Sequence, residues 1–196
     1  MKKSFWMPVV LVAMSLLGCG KEISREFLDQ SGGKLYERGE HTPYTGKVFN
    51  DRSFFLTHSV GSKVSCRSHL VDGVYDGSYL CKDENTGNTV IDAHMENGKL
   101  DGELKSYDYK TGKKIIDAEF KEGLLDGEVI VYLDGEKVCE TQYKKGKMEG
   151  KHVCWGVALV SYTSRPFGSV NVIRVNSFES KKKTADAIFE NGKIKD

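Results

Sequence analysis

Four glycines set the frame of this chain. Gly77, Gly102, Gly127 and Gly150 are separated by 25, 25 and 23 residues, and each carries the same kind of neighbours. A second glycine stands four residues earlier, at Gly73, Gly98, Gly123 and Gly146, and an acid stands immediately before the anchor, at Asp76, Asp101, Asp126 and Glu149. Two residues ahead of the anchor is Tyr75, Leu100, Leu125 or Met148, and seven ahead is Leu70, Met95, Phe120 or Tyr143. A period of this length restricts the fold to a stack of small units, each burying its apolar face against the next. Asp72-Gly73, Asn97-Gly98 and Asp101-Gly102 read as hairpin-turn dipeptides, because glycine takes positive φ without steric cost. Each unit is therefore read as strand, turn, strand.

Parity assigns the faces, since side chains along a strand alternate sides. Counting back from the anchor, one face carries Cys66, Ser68, Leu70, then Ile91, Ala93, Met95, then Ile116, Ala118, Phe120, then Cys139, Thr141, Tyr143. The order is large, small, large each time. The returning strands supply Tyr79 and Cys81, Leu104 and Ser106, Val129 and Val131, His152 and Cys154. If the large residue seven before the glycine faces that glycine, the small residue falls opposite the large one two past it. Such cross-strand pairs stabilise sheets, and an aromatic over a strand glycine is a known packing device. The links between units follow from turn chemistry. Thr86-Gly87 and Thr111-Gly112 lie about ten residues past their anchors, whereas Asp134-Gly135 comes sooner, which shortens one spacing from 25 to 23.

These residues resemble the MORN repeat, in the variant found in bacterial proteins labelled as antitoxins. Its pattern is close to aromatic-x-x-Gly-x-apolar-x-Gly-x-apolar-x-x-Tyr. Phe120, Gly123, Leu125, Gly127, Val129 and Tyr132 match it, as do Tyr143, Gly146, Met148, Gly150, His152 and Trp155. Met95 to Tyr107 agrees with Met in the aromatic place. The resemblance covers roughly half the chain. It implies an all-β fold, an antiparallel meander of repeated hairpins forming an elongated sheet, and a role in protein interaction that includes neutralising a toxin.

The N-terminus has a separate logic. Lys2 and Lys3 precede an apolar run from Phe5 to Leu17, too short to span a bilayer and shaped like a secretory signal. Leu16-Leu17-Gly18-Cys19 resembles a bacterial lipobox, which implies a signal peptide over 1–18 and lipidation of Cys19, including a fatty acyl chain such as palmitate on the new amine. Several acyl chains anchor stably where one is marginal. The alternative is an ordinary signal peptide with an incidental cysteine. Gly20 after the cysteine resembles outer-membrane sorting, on the periplasmic side, in an organism with two membranes. Residues 19–34 then serve as lipidated tether and first strand: Ile23 to Leu28 is suited to pairing and Ser31-Gly32-Gly33 to a turn.

Residues 35–196 are read as the repeat domain. Leu35-Tyr36 opens a strand, and Pro43-Tyr44-Thr45-Gly46 resembles the opening unit of the same family. Phe54-Phe55-Leu56, a Gly61-Ser62 turn and a strand into Cys66 continue the array less regularly. The regular units span 66–155. After Trp155 the pattern lapses, with a strand-like 156–162, a turn at 163–168 holding Pro166, and a β-branched strand at 170–175. It returns at Ala185, Ala187, Phe189, Gly192 and Ile194. Since Asp196 lies 46 residues past Gly150, or twice 23, one eroded unit is expected over 156–180 and a partial unit over 181–196. Thr184 to Phe189 is then an edge strand, with Lys181 to Lys183 discouraging association.

Beyond Cys19 there are four cysteines. Cys66 with Cys81, and Cys139 with Cys154, occupy the same two repeat positions, directly across a hairpin in the proposed register. Opposed strand residues lie about 4.5–5.5 Å apart at Cα, inside the disulfide range. Export supplies an oxidising environment. Both hairpins are therefore expected to be stapled, the alternative being buried free thiols.

Composition restrains the function. A net charge of +1, which becomes −1 once Lys2 and Lys3 leave with a signal, lacks the basic footprint of a nucleic-acid binder. None of His41, His58, His69, His94 and His152 falls in a metal or nucleophile spacing. Asp92 with His94, and Arg67 with His69, share a face, but their equivalents Asp117 with Glu119 and Glu140 with Gln142 make a solvated polar face the simpler reading. No catalytic residue, cofactor, metal or small-molecule substrate is indicated. On the outward face, Leu80, Lys105, Ile130 and Val153 lie beside Lys82, Tyr107, Tyr132 and Trp155, flanked by Asp92, Asp117 and Glu140. Tyr107, Ile130, Tyr132, Val153 and Trp155 thus form a candidate partner-binding strip. The alternative is that another part of the chain, such as 156–178, covers it. The expectation is a non-enzymatic interaction lipoprotein held to the membrane by its lipid, with an unidentified protein partner. The alternative is a structural envelope lipoprotein without a toxin partner.

Overall fold

The computed structural model of the chain describes residues 21–51, 63–157, 163–164, 170–171 and 178–195. Cys19 with its leader, Phe54-Phe55-Leu56, the Gly61-Ser62 turn, Pro166 and part of the 170–175 strand lie outside these residues. In chain order the strands are β1 (Glu22–Ser24), β2 (Leu28–Ser31), β3 (Lys34–Glu37), β4 (Gly46–Asp51), β5 (Val64–Val71), β6 (Val74–Asp83), β7 (Thr89–Glu96) and β8 (Lys99–Tyr107). They continue as β9 (Lys114–Lys121), β10 (Leu124–Leu133), β11 (Glu136–Lys144), β12 (Lys147–Val157), β13 (Thr163–Ser164), β14 (Val170–Asn171), β15 (Phe178–Glu190) and β16 (Lys193–Ile194). A 3-10 turn, Arg25–Phe27, separates β1 from β2.

Among the described residues one sheet of twelve strands runs β1-β4-β5-β6-β7-β8-β9-β10-β11-β12-β15-β16. From β4 onward every pairing in it is antiparallel, whereas β1 joins β4 in parallel. The meander is thus as expected, with one parallel strand added. Ile23 to Leu28 is not one strand: the 3-10 turn breaks it, and β2 forms a separate hairpin with β3 across Gly32-Gly33.

The hairpin turns follow from two consecutive residues with positive φ, the conformation whose twist matches that of the flanking strands. Asp72-Gly73 has φ of 49° and 78°, Asn97-Gly98 49° and 78°, Glu122-Gly123 51° and 81°, and Lys145-Gly146 48° and 77°. The short link at Asp134-Gly135 has the same form, 53° and 88°. Asp101-Gly102 is not a turn. Gly102 lies inside β8, where a bulge bends the strand. A turn dipeptide four residues after another has no room to close a second hairpin.

The bulge also corrects the facing of the anchor glycines. Ser68 pairs with Tyr79, Ala93 with Leu104, Ala118 with Val129 and Thr141 with His152, small against large as expected. One step nearer the turn, Leu70 pairs with Tyr75 rather than with Gly77, because the returning strand carries two extra residues there. Gly77 instead faces Met95 of the following hairpin, Gly102 faces Phe120, Gly127 faces Tyr143 and Gly150 faces Phe189. Large side chains therefore sit over glycines between units and not within them.

All twelve residues of the large-small-large face are buried, and all but Ser68, Leu70 and Thr141 form a continuous core with Tyr79, Leu100, Leu104, Leu125, Val129 and Val131. Val90 and Val138 join it although strict alternation turns them outward. A second register shift, where Cys81 pairs with Ile91 but Lys82 with Thr89, leaves Val90 as an extra residue directed inward. Disulfides join Cys66 to Cys81 and Cys139 to Cys154, at Cα separations of 3.9 and 4.1 Å, closer than open strand pairs. A smaller cluster of Leu28, Leu35, Tyr44, Val48 and Leu70 closes the N-terminal end.

The region after Trp155 departs from the expected spacing. β12 pairs directly with β15, Gly150 opposite Phe189 and Cys154 opposite Ala185. No hairpin from 156–180 stands between them in the sheet, and β13 and β14 pair with each other apart from it. The doubled spacing of 46 therefore reflects an insertion in a connection, because sheet register depends on which strands pair and not on the residues between them.

Candidate interaction surface

The outward surface is built on a ladder that locks each hairpin to the next. The acid before each anchor glycine accepts a hydrogen bond from the backbone N–H at the next turn. Asp76 accepts from Asn97 at 3.3 Å, Asp101 from Glu122 at 2.9 Å, Asp126 from Lys145 at 3.2 Å and Glu149 from Asn191 at 2.7 Å. The turn glycine donates as well: the N–H of Gly98 reaches the Tyr75 carbonyl at 2.7 Å, Gly123 that of Leu100 at 2.8 Å, and Gly146 that of Leu125 at 2.7 Å. Thr45 takes the acid's role in the opening unit, accepting from the Asp72 N–H at 2.9 Å, while Gly73 donates to the Tyr44 carbonyl at 2.8 Å. The repeated acid is thus a cap for the neighbouring turn, a role that its constant place in the pattern signals but that sequence reasoning missed.

Across each bulge lies a polar strap. His69 Nδ1 is 2.9 Å from the Asp76 carbonyl and His94 Nδ1 is 3.1 Å from that of Asp101, so each imidazole N–H donates to a carbonyl freed by the bulge. Glu119 and Gln142 take the same place over Gly127 and Gly150. Asp92 is exposed and pairs in register with Lys105, not with the histidine on its own strand. These residues belong to the polar face. Among the described residues no group of three or more His, Cys, Asp or Glu side chains is placed to hold a metal.

Beside the straps runs the candidate strip. Asp117 is opposite both Lys105 and Ile130, and Ile130 is opposite Glu140, which faces Val153. One position further along, Tyr107 is opposite Lys114, Tyr132 opposite Lys137 and Trp155 opposite Lys183. Lys114 Nζ is 2.7 Å from the Asp117 carboxylate and 5.4 Å from the centre of the Tyr132 ring. Lys137 Nζ is 2.6 Å from Glu140. Hydrogen bonding to Asp117 raises the Lys114 pKa, and hydrogen bonding to Glu140 raises that of Lys137, while Lys137 lowers that of Glu140. Of the acids that flank the aromatics, Asp117 and Glu140 are therefore each paired with a lysine.

Tyr107, Ile130, Tyr132 and Trp155 are half-buried, so each shows part of its apolar surface. Val153 differs: it is only 1% exposed and forms no part of a binding surface. Its outward parity placed it on the strip, but parity says nothing about cover supplied by the rest of the chain. Residues 158–162, 165–169 and 172–177, within the segment expected as cover, lie outside the described residues.

The inward face carries a polar site in the fourth hairpin. His152 lies beside the second disulfide, with Nδ1 2.8 Å from Thr141 Oγ1, Nε2 3.7 Å from Cys154 Sγ and its ring edge-on to Phe189 at 5.9 Å. Burial lowers its pKa below the ordinary 6.5.

Fold and surface together define an all-β repeat protein whose hairpins share one core and present an aromatic, charge-paired outer strip. Compared with known proteins, the chain matches no family model, no curated protein and no solved structure.

Proposed function

We propose that this protein is an exported, lipid-anchored interaction module without catalytic activity, one that binds and neutralises a protein toxin through its outer strip. The observation that carries the reading is the row of half-buried aromatics, Tyr107, Tyr132 and Trp155, held in register on a disulfide-stapled sheet beside Lys-Asp and Lys-Glu pairs. Aromatic anchors on a rigid element lose little entropy on binding, and a polar rim around them excludes water and selects the partner. The lipobox-like Leu16 to Cys19 supports anchoring at the membrane, and the repeat pattern's likeness to antitoxin-type MORN proteins supports a toxin as partner.

A producing cell deprived of the protein should be poisoned by one secreted effector and rescued by the wild-type chain, but not by Tyr132→Ala with Trp155→Ala. Replacing Cys19 with Ser should abolish incorporation of labelled fatty acid and leave residues 1–18 uncleaved, read as a precursor of higher mass. If deletion sensitises cells to no effector while envelope integrity fails, the structural-lipoprotein reading replaces this one.

A further inference from the structure

One position of the repeat supplies the aromatics of the outer strip. Tyr107, Tyr132 and Trp155 each stand five residues past an anchor glycine, and Lys82 holds that place in the first regular unit. They lie on β6, β8, β10 and β12, every second strand of the sheet. Neighbouring strands are about 4.8 Å apart, so equivalent side chains recur roughly every 9.6 Å along the row. Lys114 on β9 stands opposite Tyr107, with its Nζ 2.7 Å from Asp117 and 5.4 Å from the Tyr132 ring centre. Lys137 on β11 stands opposite Tyr132 and is held by Glu140. The lysines between the rings thus already have acidic partners, whereas Lys82 at the end of the row is exposed.

From this spacing we infer that the strip takes a proline-rich segment of its protein partner in the polyproline II conformation, with prolines three residues apart over the aromatics and an acidic residue at the end that meets Lys82. A polyproline II helix has three residues per turn and rises about 3.1 Å per residue, so its repeat of about 9.3 Å follows the row. Other conformations do not. Three residues of β-strand also span about 10 Å, but an odd step turns successive anchors to opposite faces. Seven residues of α-helix rise about 10.5 Å and fall about 2 Å out of step by the third ring. The chemistry agrees with the spacing. Proline-rich segments dock on aromatic surfaces, and their unpaired backbone carbonyls accept hydrogen bonds from donors such as the Tyr O–H and the Trp N–H. Such a segment is ordered before it binds, which lowers the entropic cost of association. The inference rests on the reading of the strip as a protein-binding surface and names what that surface holds.

The test is titration calorimetry on the purified chain with a synthetic peptide of three Pro-Ala-Gln units carrying two glutamates at one end. The control has the same composition with its prolines four residues apart. The first peptide should bind roughly tenfold or more tightly than the control. Tyr107→Lys and Tyr132→Lys should each weaken it by a similar factor. Both variants should fold, since the first regular unit already carries lysine at this position, as Lys82. Should either not fold, the comparison of the two spacings on the wild-type chain still decides. Lys82→Ala should remove the advantage that the glutamates give, a factor of roughly two to five. No heat at millimolar peptide, as a strip covered from within the chain or by a second copy would give, overturns the inference. So does equal binding of the two spacings, binding untouched by the lysine variants, or preference for a soluble oligosaccharide. Lost rescue by the Tyr132→Ala, Trp155→Ala variant without any peptide binding would keep the strip as a partner surface and remove only the proline-rich segment. Peptide binding in the absence of any effector would do the reverse.

Discussion

At the scale of single residues, the anchor glycines do two things that no other residue combines. Gly102 has a φ of +90° and Gly127 one of +136°, a backbone region that costs an L side chain about 1–2 kcal/mol. They differ in the space beside them. A Cβ at Gly102 would meet His94 Cβ at 3.7 Å, an ordinary contact, whereas at Gly127 it would stand 2.7 Å from Glu119 Cβ. Gly102→Ala should therefore lower unfolding stability by about the strain alone, and Gly127→Ala by clearly more, to be read in urea titrations. His152 makes a pH prediction. Burial holds its folded-state pKa below 6.5, so the unfolded chain binds more protons in acid, and the stability this site contributes is complete above pH 6.5 and lost as pH falls through the folded-state value. The difference in melting temperature between wild type and His152→Gln should change across that window, with wild type losing ground toward acid. A wild-type curve parallel to the variant's would show that burial does not govern this imidazole.

At the scale of elements, the two disulfides do for the first and fourth hairpins what Ile91 with Ser106 and Ile116 with Val131 do for the second and third. Each links residues 15 apart in sequence, a closure worth about 3 kcal/mol through the unfolded state. Replacing Cys66 and Cys81 together by Ala should cost on the order of 2–4 kcal/mol, and the same change at Cys139 and Cys154 a similar amount. The two losses should add, because two hairpins lie between the staples. Chemical denaturation under non-reducing conditions measures both. A non-additive result would show that the two stapled hairpins are energetically coupled through the two that separate them.

At the scale of the whole molecule, each strand from β5 to β11 pairs only with its sequence neighbours in the sheet, so stability there is a sum of local hairpin terms and nearest-neighbour interfaces. Hydrogen exchange should accordingly be slowest in β7 to β11, flanked by complete units on both sides, and faster in β15 and β16. Uniform protection from β4 to β16 would contradict this picture.

The large-small-large face, the turn positions at Gly73, Gly98, Gly123 and Gly146 and both cysteine pairs were legible because strand parity and turn chemistry act within a few residues. The turn assigned to Asp101-Gly102 failed on the same evidence, since a glycine with positive φ serves a bulge as well as a turn and a dipeptide does not distinguish them. Val90 and Val138 were missed because a bulge reverses parity beyond it. The candidate strip was legible as a row, but the burial of Val153 was not.

What the sequence by itself determined, then, is the hairpin: its turn, its buried alternation and its staple, all set by φ preference and side-chain period along a short stretch of chain. Only the tertiary structure decided how hairpins meet. It placed the anchor glycine under the next unit's large side chain, gave the repeated acid to the next unit's turn, and joined β12 to β15 across an insertion. Those contacts depend on which strands become neighbours, and neighbours are chosen by the burial of a shared face, a property of the assembled sheet and not of any one segment.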